Sequence, residues 1–260
     1  MIFMTTKNKI IFSFIVALLF FSFNNCQKNP VVDLPVTGSV KITFKNTING
    51  NPIFMDGRFY TNPFGENYAI TKFKYYISNV RINNIDNAAN ETESYHLVDE
   101  ASEASKTFTY AAAIDTYTTL SFTIGVDSLR NVSGAQTGAL DPLNDMFWTW
   151  NSGYIMAKLE ATSPSSNQVN NKVEYHIGGF SGVNNVLKRI TLTLPATKFL
   201  VVQKGKLSEI VVEADLNKWW QNPNDLKITD NPVCTTPGAM AKKIADNYSK
   251  LFVIKDVINN

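Results

Sequence analysis

The sequence predicts an all-β fold, an antiparallel β-sandwich of the Greek-key or jelly-roll kind closed by one short C-terminal helix. Three observations carry this: repeated period-two alternation of apolar and polar residues, turn chemistry between the alternating stretches, and no long helical pattern interleaved with them. In the first stretch Val40, Ile42 and Phe44 fall on one face and Lys41, Thr43 and Lys45 on the other, as in a half-buried strand. The pattern returns at residues 73–82 (FKYYISNVRI), 120–126, 154–159, 173–177, 188–194 and 210–214. Between these lie Asn49-Gly50, Asn83-Asn84, Ser133-Gly134, Ser163-Pro164 and Lys204-Gly205, residue types that favour tight turns. Asp215 is placed to cap a short helical turn carrying Trp219 and Trp220, which stops near Asn222-Pro223. Residues 239–251 set Met240, Ile244, Tyr248 and Leu251 on one stripe, so an amphipathic helix is expected against the sandwich, followed by an edge strand over 252–257.

The start of the chain has a different character. Lys7 and Lys9 precede an apolar run from Ile10 to Phe23, which is shorter than the roughly twenty residues a membrane-spanning helix needs, so residues 1–25 read as an export signal. Cys26 follows directly and looks like the acylated cysteine of a bacterial lipoprotein; ordinary secretion is the alternative. Residues 26–36 are aperiodic and bear Asn and Pro, as a tether would. Residues 37–260 then form one domain. The expected location is the cell envelope, periplasmic or surface-facing, anchored to the outer membrane through the lipid.

Charge narrows the partners. The formal net charge is +2, and removing residues 1–25 with their two lysines and no acid brings it to zero. A neutral domain without clustered Lys or Arg lacks the long-range field that nucleic-acid binding requires, so that class is excluded, and the membrane is met only through the anchor. With Cys26 acylated, Cys234 has no disulfide partner within the chain, so the core must hold itself by packing.

Candidate chemistry gathers in three places. Residues 141–154 (DPLNDMFWTWNSGY) put Trp148 and Trp150 one residue apart; indoles in such number mark either a large core or a built site. The two histidines, His96 and His176, each follow a tyrosine in a strand-like stretch, and imidazole is the commonest protein ligand for copper and zinc. Two histidines do not close a tetrahedral zinc site, whereas Cu(I) accepts two or three ligands and favours soft donors such as Met146, Met156 and Cys234. The plain reading of those three is packing. Asp127, Asp141 and Asp145 stand in turns, where carboxylates either hold calcium or bond neighbouring backbone N–H groups. Ser133 lacks the Gly-x-Ser-x-Gly setting of a hydrolase nucleophile, and Cys234 beside His176 reads more simply as a buried apolar residue, so a non-catalytic protein is expected.

The sequence resembles the MbnP-like proteins. The resemblance is carried by 74–79 (KYYISN), 95–99 (YHLVD), 124–128 (IGVDS), 138–142 (GALDP), 146–154 (MFWTWNSGY), 176–179 (HIGG) and Asn247-Tyr248 with Leu251-Phe252, in order over nearly the whole mature chain. It implies a β-rich exported domain, of a family associated with methanobactin systems, that binds copper through histidine for uptake or handling. It further implies a diheme cytochrome peroxidase as partner and, in some members, a tryptophan oxidised to kynurenine. Residue by residue, that points to His176 and His96 as ligands and to Trp148 or Trp150 as the oxidised side chain. The competing reading is a metal-free interaction or structural module of the envelope, with Trp148 and Trp150 as same-face core residues. Geometry discriminates: the copper reading expects the two histidines close to one another or to the tryptophan pair.

Overall fold

The alternating stretches form strands because each has one apolar face to bury, and the two sheets they build press those faces together. The computed structural model describes residues 36–91, 93–148 and 153–260; Cys26 and Trp150 lie outside them. Val36–Asn260 form one compact unit. Among the described residues, a five-stranded sheet runs Phe252–Asn259, Leu207–Asp215, Thr37–Ile48 and Asn51–Pro52, with Thr107–Ala113 also paired to Thr37–Ile48. A ten-stranded sheet has the path Lys188–Thr193, Thr119–Ile124, Asn67–Asn83, Gly153–Thr162, Lys172–Gly178 and Val233–Cys234; Tyr60–Thr61, Ala88–Asn90 and Tyr95–Asp99 pair with Asn67–Asn83, and Phe147–Trp148 with Gly153–Thr162. The fold is thus the expected all-β sandwich, with mixed sheets: Thr37–Ile48 lies parallel to Leu207–Asp215, and Lys172–Gly178 parallel to Val233–Cys234. A parallel pair needs a long crossover, and period-two alternation carries no information on strand direction.

Aromatic rings fill the space between the sheets. Phe44 of the five-stranded sheet stands edge-on to Tyr75 and Phe122 of the other at 6.1 and 5.7 Å, and Phe252 joins Tyr75 and Phe122 at 5.6 and 5.3 Å. Val40, Ile42 and Phe44 are buried as their alternation requires. The helix is Ala239–Tyr248, burying Ile244, Ala245 and Tyr248; the edge strand after it is Phe252–Asn259. Asp215 accepts from Asn217 N at 3.1 Å and caps the short turn holding Trp219, as its position predicts. No helix of the described residues is long and apolar enough to cross a membrane.

Two irregularities position the candidate residues. The Asn67–Asn83 strand carries a register shift between Ser78 and Arg81, with Asn79 at φ 53°. The Gly153–Thr162 strand carries another between Ile155 and Ala157. Bulges of this kind re-aim the side chains beside them.

Candidate metal centre

His176 sits on the outer face of the ten-stranded sheet. It is directly opposite Lys158, which is opposite Lys74 in turn, and the next pairs along bring Glu160 opposite both Glu174 and Lys72. Directly opposed residues share a face, so imidazole, carboxylates and lysines project together. His176 Nε2 lies 2.9 Å from Glu160 Oε1 and 3.7 Å from Glu174 Oε1, with all three side chains 15–21% exposed. One donor atom from each of Glu160, Glu174 and His176 falls within 4.8 Å of the others, the one such group of three among the described residues. The hydrogen bond to His176 is the main cause holding the Glu160 carboxyl below its ordinary value, against burial and with help from Lys72.

Cations complete the face. Lys158 is buried, its ammonium 2.9 Å from Asp145 Oδ2, bonded also to the Asp145 carbonyl, and 3.9 Å from Glu160 Oε1. Lys72 reaches Asp145 at 2.8 Å and Glu160 at 3.3 Å. Burial opposes ionisation of Asp145, but hydrogen bonds from Lys72 and Lys158 outweigh it and hold that carboxyl down at about 2. The nearest ammonium groups therefore belong first to Asp145, and Glu160 keeps His176 as its closest partner.

Trp148 reaches the strand that carries His176. It pairs with Gly153, and its indole covers Gly178, where an added Cβ would stand 2.4 Å from ring atom Cζ3. Gly178 is two residues beyond His176 on the same strand face, about 7 Å along the backbone at the usual strand rise. A cleft of about 260 Å³ borders the ring, lined by Trp148, Tyr154, Phe180, Asn184 and Pro237 among others.

His96 is elsewhere. It is opposite Ile77, whereas the His176 row crosses that strand at Lys74, three residues away, so the two imidazoles point to opposite faces. Two strands also stand between them, or about 14 Å at the usual strand spacing. His96 stacks on Phe108 with ring centroids 3.5 Å apart and bonds Glu91 at 2.9 Å. The histidines thus do not converge, while Trp148 meets the His176 strand two residues away, at Gly178.

The remaining candidates are occupied within the fold. Met146 and Met156 are fully buried, and the Met156 sulfur accepts from Val126 N at 3.1 Å. Cys234 is buried opposite Tyr175 on the inner face, and burial pushes its thiol up, away from the reactive thiolate. Asp127 caps the Ser128–Val132 helix through Arg130 N at 3.2 Å and accepts from the Tyr95 hydroxyl; Asp141 accepts from Leu143 N at 2.9 Å in an Asx turn. Glu160 and Glu174 were not legible in the sequence because carboxylates on a strand look like any solvated face; the available signal was the spacing of two between Glu174 and His176, whereas Glu160 is brought in only by cross-strand register.

The fold is an all-β sandwich that presents a histidine and two carboxylates on the outer face of its larger sheet, with an indole over Gly178 two residues further along the same strand. The family model described as MbnP matches residues 37–236, well over half of the chain, and the chain belongs to the MbnP family. Among solved structures it is similar to MbnP from Methylosinus trichosporium, at a TM-score of 0.54 and 15% identity, over 86% of this chain and 99% of that one. At that identity the likeness speaks for the fold. No curated protein matches the sequence.

Proposed function

We propose that the protein binds copper on the outer face of its larger sheet, through His176 with Glu160 and Glu174, and serves copper uptake or handling without turnover. The observation that carries this reading is the convergence of one imidazole nitrogen and two carboxylate oxygens within 4.8 Å on adjacent, hydrogen-bonded strands. A nitrogen and oxygen donor set suits Cu(II), whereas the sulfur donors Cu(I) prefers are packed in the core. The MbnP-family resemblance supports copper over other divalent ions. His96 takes no part in this centre; its stacking on Phe108 and its bond to Glu91 serve the fold.

Trp148 belongs to the same proposal. Oxidation to kynurenine would replace its indole by an aniline nitrogen and a ketone beside Gly178, adding donors next to His176; Trp150 is the alternative residue. A diheme cytochrome peroxidase-like protein is the proposed partner for that oxidation, and a lipid on Cys26 would hold the domain at the outer membrane. Intact-mass measurement of the protein from its native envelope tests this, since kynurenine formation removes one carbon and adds one oxygen; an unaltered mass would remove the modification from the account.

A second reading rests on one observation: the cluster already balances its own charge through Lys72, Lys158 and Lys172, the last 2.7 Å from Glu174. Such a network holds a sandwich surface without metal. Titration with Cu(II) separates the two, because binding that disappears in His176→Ala supports copper capture and no binding in the native chain supports the metal-free module.

A further inference from the structure

The chain uses arginine sparingly, and the placement of these residues is informative. Against twenty lysines there are four arginines, Arg58, Arg81, Arg130 and Arg189. Arg58 pairs with Asp56 at 2.6 Å within its own turn, and Arg130 pairs with Glu93. Arg81 and Arg189 have no carboxylate in ion-pair reach among the described residues. Yet both border one cleft of about 290 Å³, together with Asn79, Asn90, Glu91 and Glu93.

The sheet brings these two guanidinium groups to the same face by construction. Arg81 is opposite Ser121 and Arg189 opposite Thr123, on strands flanking Thr119–Ile124, and Ser121 and Thr123 share a face. Arg189 Nη2 donates to Ser121 Oγ at 3.2 Å, so its head leans across toward the strand that carries Arg81. The bulge is decisive for Arg81. Ser78 and Arg81 are three residues apart and in a regular strand would face opposite ways; the extra residue at Asn79–Val80 turns Arg81 outward with Ser78. Regular alternation would have driven the arginine into the core.

The carboxylates at the rim have direct partners other than Arg81 and Arg189. Glu91 is held by His96 at 2.9 Å and Glu93 by Arg130. Two like charges therefore stand together on a rigid sheet with a roomy cleft before them and the side-chain amide of Asn90 on its border. Guanidinium groups present planar forks matched to carboxylate or phosphate oxygens, which the far more numerous lysines do not.

We propose that this cleft binds an oxyanion ligand, a small molecule bearing carboxylate or phosphate, with Arg81 and Arg189 as its two binding residues. The site is separate from the His176 cluster and does not depend on the copper reading. Calorimetric titration of the full-length protein with citrate and with inorganic phosphate, at ionic strength held constant with sodium chloride, tests it. The expected result is saturable binding of at least one anion, weakened about tenfold or more in Arg81→Gln and in Arg189→Gln, and unchanged in His176→Ala. Preference for citrate identifies a carboxylate ligand and preference for phosphate a phosphate ester. The Arg81 side chain is exposed and has no ion-pair or hydrogen-bond partner among the described residues, so its substitution leaves folding intact. No binding of either anion, or full affinity in Arg81→Gln, overturns the proposal.

Discussion

Gly178 shows how narrowly one position is set. The indole of Trp148 fills the space a side chain would take, so Gly178→Ala forces ring or strand to move. Overpacking of that kind costs about 1–3 kcal/mol, and urea unfolding of the variant should read a loss in that range. An unchanged midpoint would mean that the ring is not seated there. Asp145 offers a test by pH. Its carboxyl is held at about 2, below the ordinary aspartate value of 3.8, so the charged form is favoured in the folded state and its contribution is complete above the ordinary value. Stability from this group is therefore lost as pH falls from about 4 through about 2. Asp145→Asn should be less stable than the native chain at neutral pH, and the difference should close over that window. A difference that persists at pH 2 would assign the loss to packing.

At the scale of elements, the sandwich depends on the aromatic contacts of the Thr37–Ile48 strand. Phe44 packs against Tyr75 and Phe122 of the facing sheet and against Phe108 and Phe252 of its own. Truncation to Ala should cost about 3–5 kcal/mol in chemical denaturation, the range for buried aromatic residues, and a loss under 1 kcal/mol would show that the layers are held elsewhere. Strands with clean alternation were legible from residue types: Val40, Ile42 and Phe44 are buried, and the strands around 73–82, 173–177 and 210–214 were found where alternation put them. Thr107–Ala113 was not found, because its alanines and threonines give weak contrast between faces. Parallel pairing of Thr37–Ile48 with Leu207–Asp215 was also invisible, since direction is settled by how the whole chain crosses over. The bulges at Asn79 and Met156 left no mark that sequence alone distinguishes from ordinary strand, yet they decide where Arg81 points and how the strand beside Trp148 is set.

For the whole molecule, the outer face of the ten-stranded sheet carries both proposed sites. His176 with Glu160 and Glu174 lies toward one side, the Arg81–Arg189 cleft toward another, and between them Tyr76 is covered by the segment whose Ala139 carbonyl accepts its hydroxyl at 3.0 Å. The sequence pointed to His176 and Trp148 individually and its family resemblance tied them to one function, but only three-dimensional register shows that His176 stands with two carboxylates and that His96 faces away. The copper proposal rests on His176 as the metal-binding imidazole. The most direct measurement is electron paramagnetic resonance of the full-length protein with one equivalent of Cu(II). One Cu(II) species with nitrogen hyperfine structure is expected, lost in His176→Ala and retained in His96→Ala. A signal of free aqueous Cu(II), or a bound signal that survives removal of His176, would contradict it.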